Sequence, residues 1–102
     1  MLIYNTTFHV EDEVQEQFVD FIRNVYIKEA MRTDMLSDPR FTKIHPQHEQ
    51  NGNSFSLQFK VEDQEVLNLW QSVLGNKLHK IIISEFGGRV MGFVTLMDEI
   101  EL

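Results

Sequence analysis

The chain contains no cysteine. That excludes disulfides and thiolate metal ligands, and it fits a reducing compartment. Positive charge is also scarce: 9 Lys and Arg stand against 16 Asp and Glu, a formal net charge of −7. An acidic surface repels phosphate backbones and anionic membranes, so neither nucleic acid nor membrane is an expected partner. No apolar run is long enough for a transmembrane helix. The start MLIYNTTFHV lacks the basic region and apolar stretch of a secretory signal, so the expected location is cytoplasmic. No linker or low-complexity segment divides the 102 residues, and a single domain over 1–102 is expected. Apolar residues, by contrast, are plentiful at 42%, enough for a core. A chain this short buries a modest share of its surface, and partnering would help it.

Periodicity supplies the elements. Residues 2–10 read as a strand: Leu2, Tyr4, Phe8 and Val10 share one parity with Thr6, and Asn5, Thr7 and His9 share the other. Val14, Phe18, Phe21, Ile22, Val25 and Met31 recur at helical spacing, with Asp12 and Gln15 as a capping box. This helix should end before Asp38-Pro39. Residues 40–48 predict a second strand, placed at an edge by Pro46. Asn51-Gly52 is a turn signal, and 53–61 alternate cleanly. Asp63 can cap a second helix carrying Val66, Leu67, Trp70, Val73, Leu74, Leu78, Ile82 and Phe86, with a kink or break expected at Gly75-Asn76. Residues 89–97 are the last strand.

The order β-α-β-β-α-β with right-handed crossovers predicts an α+β fold. It is the ferredoxin-like βαββαβ plait: a four-stranded antiparallel sheet in order 4-1-3-2, with two helices on one face. The last strand is apolar on both faces, through Val90, Val94 and Leu96 and through Met91, Phe93 and Met97. Helices cover one face of such a sheet. A second copy packed sheet to sheet would cover the other, giving a homodimer of the dimeric α+β barrel type.

Candidate chemistry is sparse. Gly87-Gly88 follows a helix and precedes a strand, the reverse of a phosphate loop, so it reads as a helix cap and corner. His45 and His48 are three apart, which on a strand sends them to opposite faces, and no metal site is expected. The third strand offers Ser54, Ser56, Gln58 and Lys60 on its polar face, without the aromatics of an RNA-binding sheet. The remaining set is Asn5, Thr7 and His9 with Ser56 and Gln58, on neighbouring strands. Between paired sheets these residues would line a part-polar cavity, either a ligand site or a hydrated interface. A small apolar or aromatic ligand, with no resident cofactor, is the expected occupant.

Along nearly its whole length the chain resembles a small bacterial family, mostly from Bacteroidetes, classed as a domain of unknown function. The segments "IYNTTFHVEDEVQEQF", "RFTKI", "SFSLQF" and "SEFGGRVMGFVTL" carry the likeness; "LGNKLHK" stands where that family has a His-Ala-Pro-like break. The resemblance implies the fold and a dimer and assigns no activity. More widely the chain resembles the dimeric α+β barrel group of antibiotic-biosynthesis-type monooxygenases and haem-degrading enzymes. By that resemblance His79 would ligate haem iron, Asn5 would bond near the reacting oxygen and Trp70 would distort the ring. The nine-residue step from Trp70 to His79 puts them on opposite sides of a straight helix. A monooxygenase-like or isomerase-like enzyme is the alternative to simple ligand binding.

Overall fold

The computed structural model describes residues 1–45 and 51–102. Four strands, β1 (Leu2–Val10), β2 (Leu36–Lys43), β3 (Asn53–Val61) and β4 (Val90–Asp98), form one sheet in the order β2-β3-β1-β4. Every neighbouring pair is antiparallel. This is the expected plait, read from its other edge. The alternation in the sequence sets the two faces. Tyr4, Phe8 and Val10 of β1 and Phe55, Leu57, Phe59 and Val61 of β3 are buried beneath the helices. Their in-between neighbours face the other way.

Each helix is continuous but not uniform. The first covers 15–30 as α-helix Gln15–Phe21, a π turn Ile22–Tyr26 and α-helix Ile27–Ala30. The second covers 64–86 in the same manner, with a π turn at Gln71–Gly75. The buried positions explain the pattern. Phe18, Ile22, Tyr26 and Ala30 lie four apart, as do Trp70, partly buried Leu74, Leu78, Ile82 and Phe86. In a regular α-helix each four-residue step drifts by about 40°. A wider π turn takes up that drift and keeps the whole row on the sheet. Val25 falls off the row and is exposed.

At Gly75 a π turn therefore replaces the expected kink. The glycine has its own cause: a Cβ there would lie 2.5 Å from Cζ3 of Trp70. That indole is fully buried, meets Tyr4 edge-on at 5.8 Å between centroids, and donates from Nε1 to the Ala30 carbonyl at 3.1 Å. One side chain thus ties the second helix to the first and to β1.

Two local expectations are corrected. The capping box does not form: the first helix is entered through a 3₁₀ turn, Asp12–Val14, without a side-chain cap. Val10 pairs with Asn53, which brings the Asn53 amide to that turn, and its Nδ2 donates to Gln15 Oε1 at 2.5 Å and Asp12 Oδ1 at 3.4 Å. The second strand begins at Leu36, earlier than expected, and ends at Lys43. Asp38-Pro39 is absorbed by a register shift between Ser37 and Arg40, with Asp38 at φ 49°, on an edge strand where proline's missing donor costs no ladder bond. The edge argument from Pro46 and the His48 half of the histidine pair lie outside the described residues. Asp63 does cap the second helix, accepting from Val66 N at 2.9 Å.

The glycine pair is a corner. Gly87 has φ 56° at the end of the second helix, and 87–89 form a single 3₁₀ turn into β4. Arg89 accepts from Glu11 N through its carbonyl at 3.0 Å, and its guanidinium lies 3.8 Å from Glu13.

Candidate functional site

The sheet has two faces of different character. The face away from the helices holds all five expected polar residues. Asn5 pairs with Gln58, Thr7 with Ser56 and His9 with Ser54 across β1 and β3. Asn5, Thr7 and Ser56 form one hydrogen-bonded chain. Ser56 Oγ donates to Asn5 Oδ1 at 2.5 Å, and Asn5 Nδ2 donates to Thr7 Oγ1 at 3.1 Å. The His9 ring is held at 3.4 Å from Ser54 Oγ and 3.2 Å from the Asn51 carbonyl. Asn5 is the buried polar residue of the set, at 7% exposure. Beside them on β4 stand Met91 and Phe93, more than 60% exposed, and Met97. Their β1 partners are His9, Thr7 and Ile3, so polar network and apolar stripe share one surface.

The helix face contains a cleft of about 190 Å³ between the second helix and the β1–β4 half of the sheet. Tyr4, Thr6 and Phe8 of β1 and Val90, Gly92 and Val94 of β4 form its floor. Gln71, Gly75, Asn76, His79, Ile82 and Ile83 form the helix wall, and Tyr26 closes the inner end. Both π turns border it: Tyr26 ends one, and Gln71 and Gly75 bracket the other. Such turns recur at functional sites because they re-aim side chains without breaking the helix. Gly92 keeps the floor low, since a Cβ there would press on the Phe8 ring at 3.0 Å.

Tyr26 is the informative residue of this cleft. It is 5% exposed. Burial, and secondarily the neighbouring Tyr4, raise its phenol well above the usual 10.0, so it is a neutral hydroxyl donor at any ordinary pH. Among the described residues no fully enclosed side-chain polar atom lacks a partner. The described residues supply none to the Tyr26 hydroxyl, so that oxygen is not fully enclosed, and the residue lines the cleft. None of the lining residues is Lys, Arg, Asp or Glu.

The family model described as Domain of unknown function (DUF4286) matches residues 1–100. The chain belongs to that family. Solved structures similar to this DUF4286 chain share its plait. An ethyl tert-butyl ether degradation (EthD) family protein from Bacillus halodurans superposes with a TM-score of 0.71 at 16% identity, covering 98% of this chain and 100% of that one. HapK from Hahella chejuensis gives 0.72 at 8% identity over 98% and 93%. An antibiotic biosynthesis monooxygenase gives 0.68 at 15% identity over 99% and 100%. At these identities the likeness is one of fold. Among curated proteins nothing matches the chain.

Against this geometry the haem-type trio comes apart. Asn5 lies on the open face, Trp70 is sealed in the core beneath Gly75, and His79 stands exposed on the cleft wall. The cleft is also smaller than the ~300–1,000 Å³ typical of drug-sized ligand sites. Its lining offers no cation for a carboxylate-bearing ring. The residues present do not fit haem. Among the described residues no cluster of three or more His, Asp or Glu could hold a metal ion, and no helix is long and apolar enough to cross a membrane.

Sequence reading missed Tyr4, Thr6, Tyr26, Gln71, Asn76 and Gly92 as cleft residues. Two signals were available. Gly92 interrupts a strand of large residues, which marks a close approach or a gap to be kept. The four-residue spacing of Phe18, Ile22, Tyr26 and Ala30 exceeds the α-helical period and reports the π turn that places Tyr26.

Proposed function

We propose that this protein is a homodimer that binds a small aromatic molecule in the cleft between its second helix and sheet. The observation that carries the reading is the cleft itself: a hollow lined by Tyr4, Phe8, Ile82, Ile83 and Val94, without a charged side chain, with the buried residue Tyr26 in its lining. This reading puts the ligand on the helix side, not between paired sheets. The set of Asn5, Thr7, His9, Ser56 and Gln58 then serves the dimer interface. Exposed Met91, Phe93 and Met97 support that interface, because a contiguous apolar patch beside buried polar groups is what a sheet-to-sheet partner covers. The absence of cysteine is consistent with a cytoplasmic setting.

An enzyme using the same cleft is the second reading. It rests on His79, an imidazole on the cleft wall within a fold shared with a protein named as an antibiotic biosynthesis monooxygenase.

Native mass spectrometry of freshly purified protein tests the main reading. A dimer mass with retained small molecules, or a dimer whose melting temperature rises with aromatic compounds, supports it. A monomer at micromolar concentration that no aromatic compound stabilises overturns it. Consumption of a bound compound that stops in His79→Ala would favour the enzyme.

A further inference from the structure

The chemistry of the cleft narrows its ligand, given the reading that the cleft is a binding site. We infer that it takes an uncharged aromatic molecule carrying an acceptor oxygen, which the Tyr26 hydroxyl meets with a donated hydrogen bond. Three observations converge on that class.

The first is charge. No Lys or Arg lines the cleft to meet a carboxylate or phosphate, and no Asp or Glu lines it to meet an amine. Moving an ion from water into such a site without a partner is strongly unfavourable, whereas a ketone or hydroxyl needs only one hydrogen bond. His79 stands on the exposed part of the wall and does not change the character of the inner end.

The second is hydrogen-bond polarity. Tyr26 is 95% buried, which follows from its 5% exposure, and it stays protonated because burial raises its phenol. A protonated phenol in the lining offers a donor that no described residue takes up, and an acceptor oxygen on the ligand would complete it.

The third is shape. Gly92 keeps the floor free of a side chain beside the Phe8 ring. Ile83 and Val94, 55% and 51% exposed, supply apolar contact at the mouth. Apolar edges around a floor without a side chain at Gly92 accept an aromatic ring, and a volume near 190 Å³ suits one or two fused rings.

Three probes with one ring system separate these claims: naphthalene, 2-acetylnaphthalene and 2-naphthoate, titrated into the dimer and followed by backbone-amide NMR shifts at Gly75, His79 and Gly92. The expected result is binding of 2-acetylnaphthalene at least about tenfold tighter than 2-naphthoate, and loss of about tenfold in Tyr26→Phe with naphthalene unaffected. Tyr26→Phe retains the ring and should fold, and unchanged naphthalene binding in that variant controls for nonspecific loss. Naphthoate binding as tightly as the ketone, or a ketone affinity unchanged in Tyr26→Phe, overturns the inference and leaves the cleft as a site. If none of the three shifts the cleft amides, both the inference and the binding reading fall.

Discussion

The two faces of the sheet solve opposite problems with the same strands. On the open face Asn5, Thr7, His9 and Ser56 are each engaged by a neighbour, while the large apolar residues beside them are bare. On the helix face the apolar residues are closely packed around Trp70 and Phe18, while one phenol is left without a protein partner. Unsatisfied groups mark where something else belongs. On the open face the unmet need is apolar and wide, suited to a protein surface. On the helix face it is a small hollow without charged side chains, suited to a small molecule.

The sharpest test of the packed side is Trp70. Trp70→Ala removes the largest buried side chain, its Tyr4 contact and its bond to Ala30, with Gly75 unable to refill the space. The expected loss is about 3–5 kcal/mol in denaturant unfolding. A loss under about 1 kcal/mol would mean that the two helices do not depend on this tie.

The open side breaks differently. Phe93→Glu should leave the subunit folded but weaken the dimer by roughly a hundredfold or more, because the carboxylate would be buried unpaired between sheets. Light scattering across a dilution series reads this directly. Equal masses for wild type and variant at all concentrations would remove the interface from this face. Asn5→Val should cost less, about 1–3 kcal/mol, since Ser56 and Thr7 each lose their partner in a buried position. A neutral or stabilising result would instead mean that the network is held open for a ligand.

The fold was readable because β1 and β3 alternate strictly and both helices carry long apolar rows. The chain order then left one economical topology. β2 was misjudged because Asp38-Pro39 looks like a boundary. Only the pairing of Leu36 with Val61 tells the chain to run through it as a bulge. The capping box failed for a related reason: Asn53 is distant in sequence and competes for both side chains. The polar face was legible residue by residue, since parity alone puts Asn5, Thr7 and His9 together. The cleft was not. It depends on where β4 lies relative to the second helix, and on π turns whose effect on Tyr26 appears only when the helix is seated on the sheet.

The smallest expected effect is the most specific to the buried phenol. Unfolded Tyr26 would titrate near its usual 10.0, and in the folded protein burial holds its proton to higher pH. Above that usual value the unfolded chain therefore binds fewer protons than the native one. The sign follows: stability is unaffected by Tyr26 below pH 10.0 and falls as pH rises beyond it, by at most about 1.4 kcal/mol per pH unit. Lysines titrate in the same range, so the informative quantity is the difference between wild type and Tyr26→Phe. That difference should be flat from about pH 7 to about pH 9 and should then move in favour of the phenylalanine variant toward about pH 11. A ligand that accepts a hydrogen bond from the Tyr26 hydroxyl binds the protonated form, so it should extend the fall of the wild type to higher pH while leaving its onset near 10.0, where the unfolded chain titrates. Parallel curves through about pH 11 would mean that the phenol is in free contact with water. The helix face would then lack the dry, one-donor end that distinguishes it from the open face.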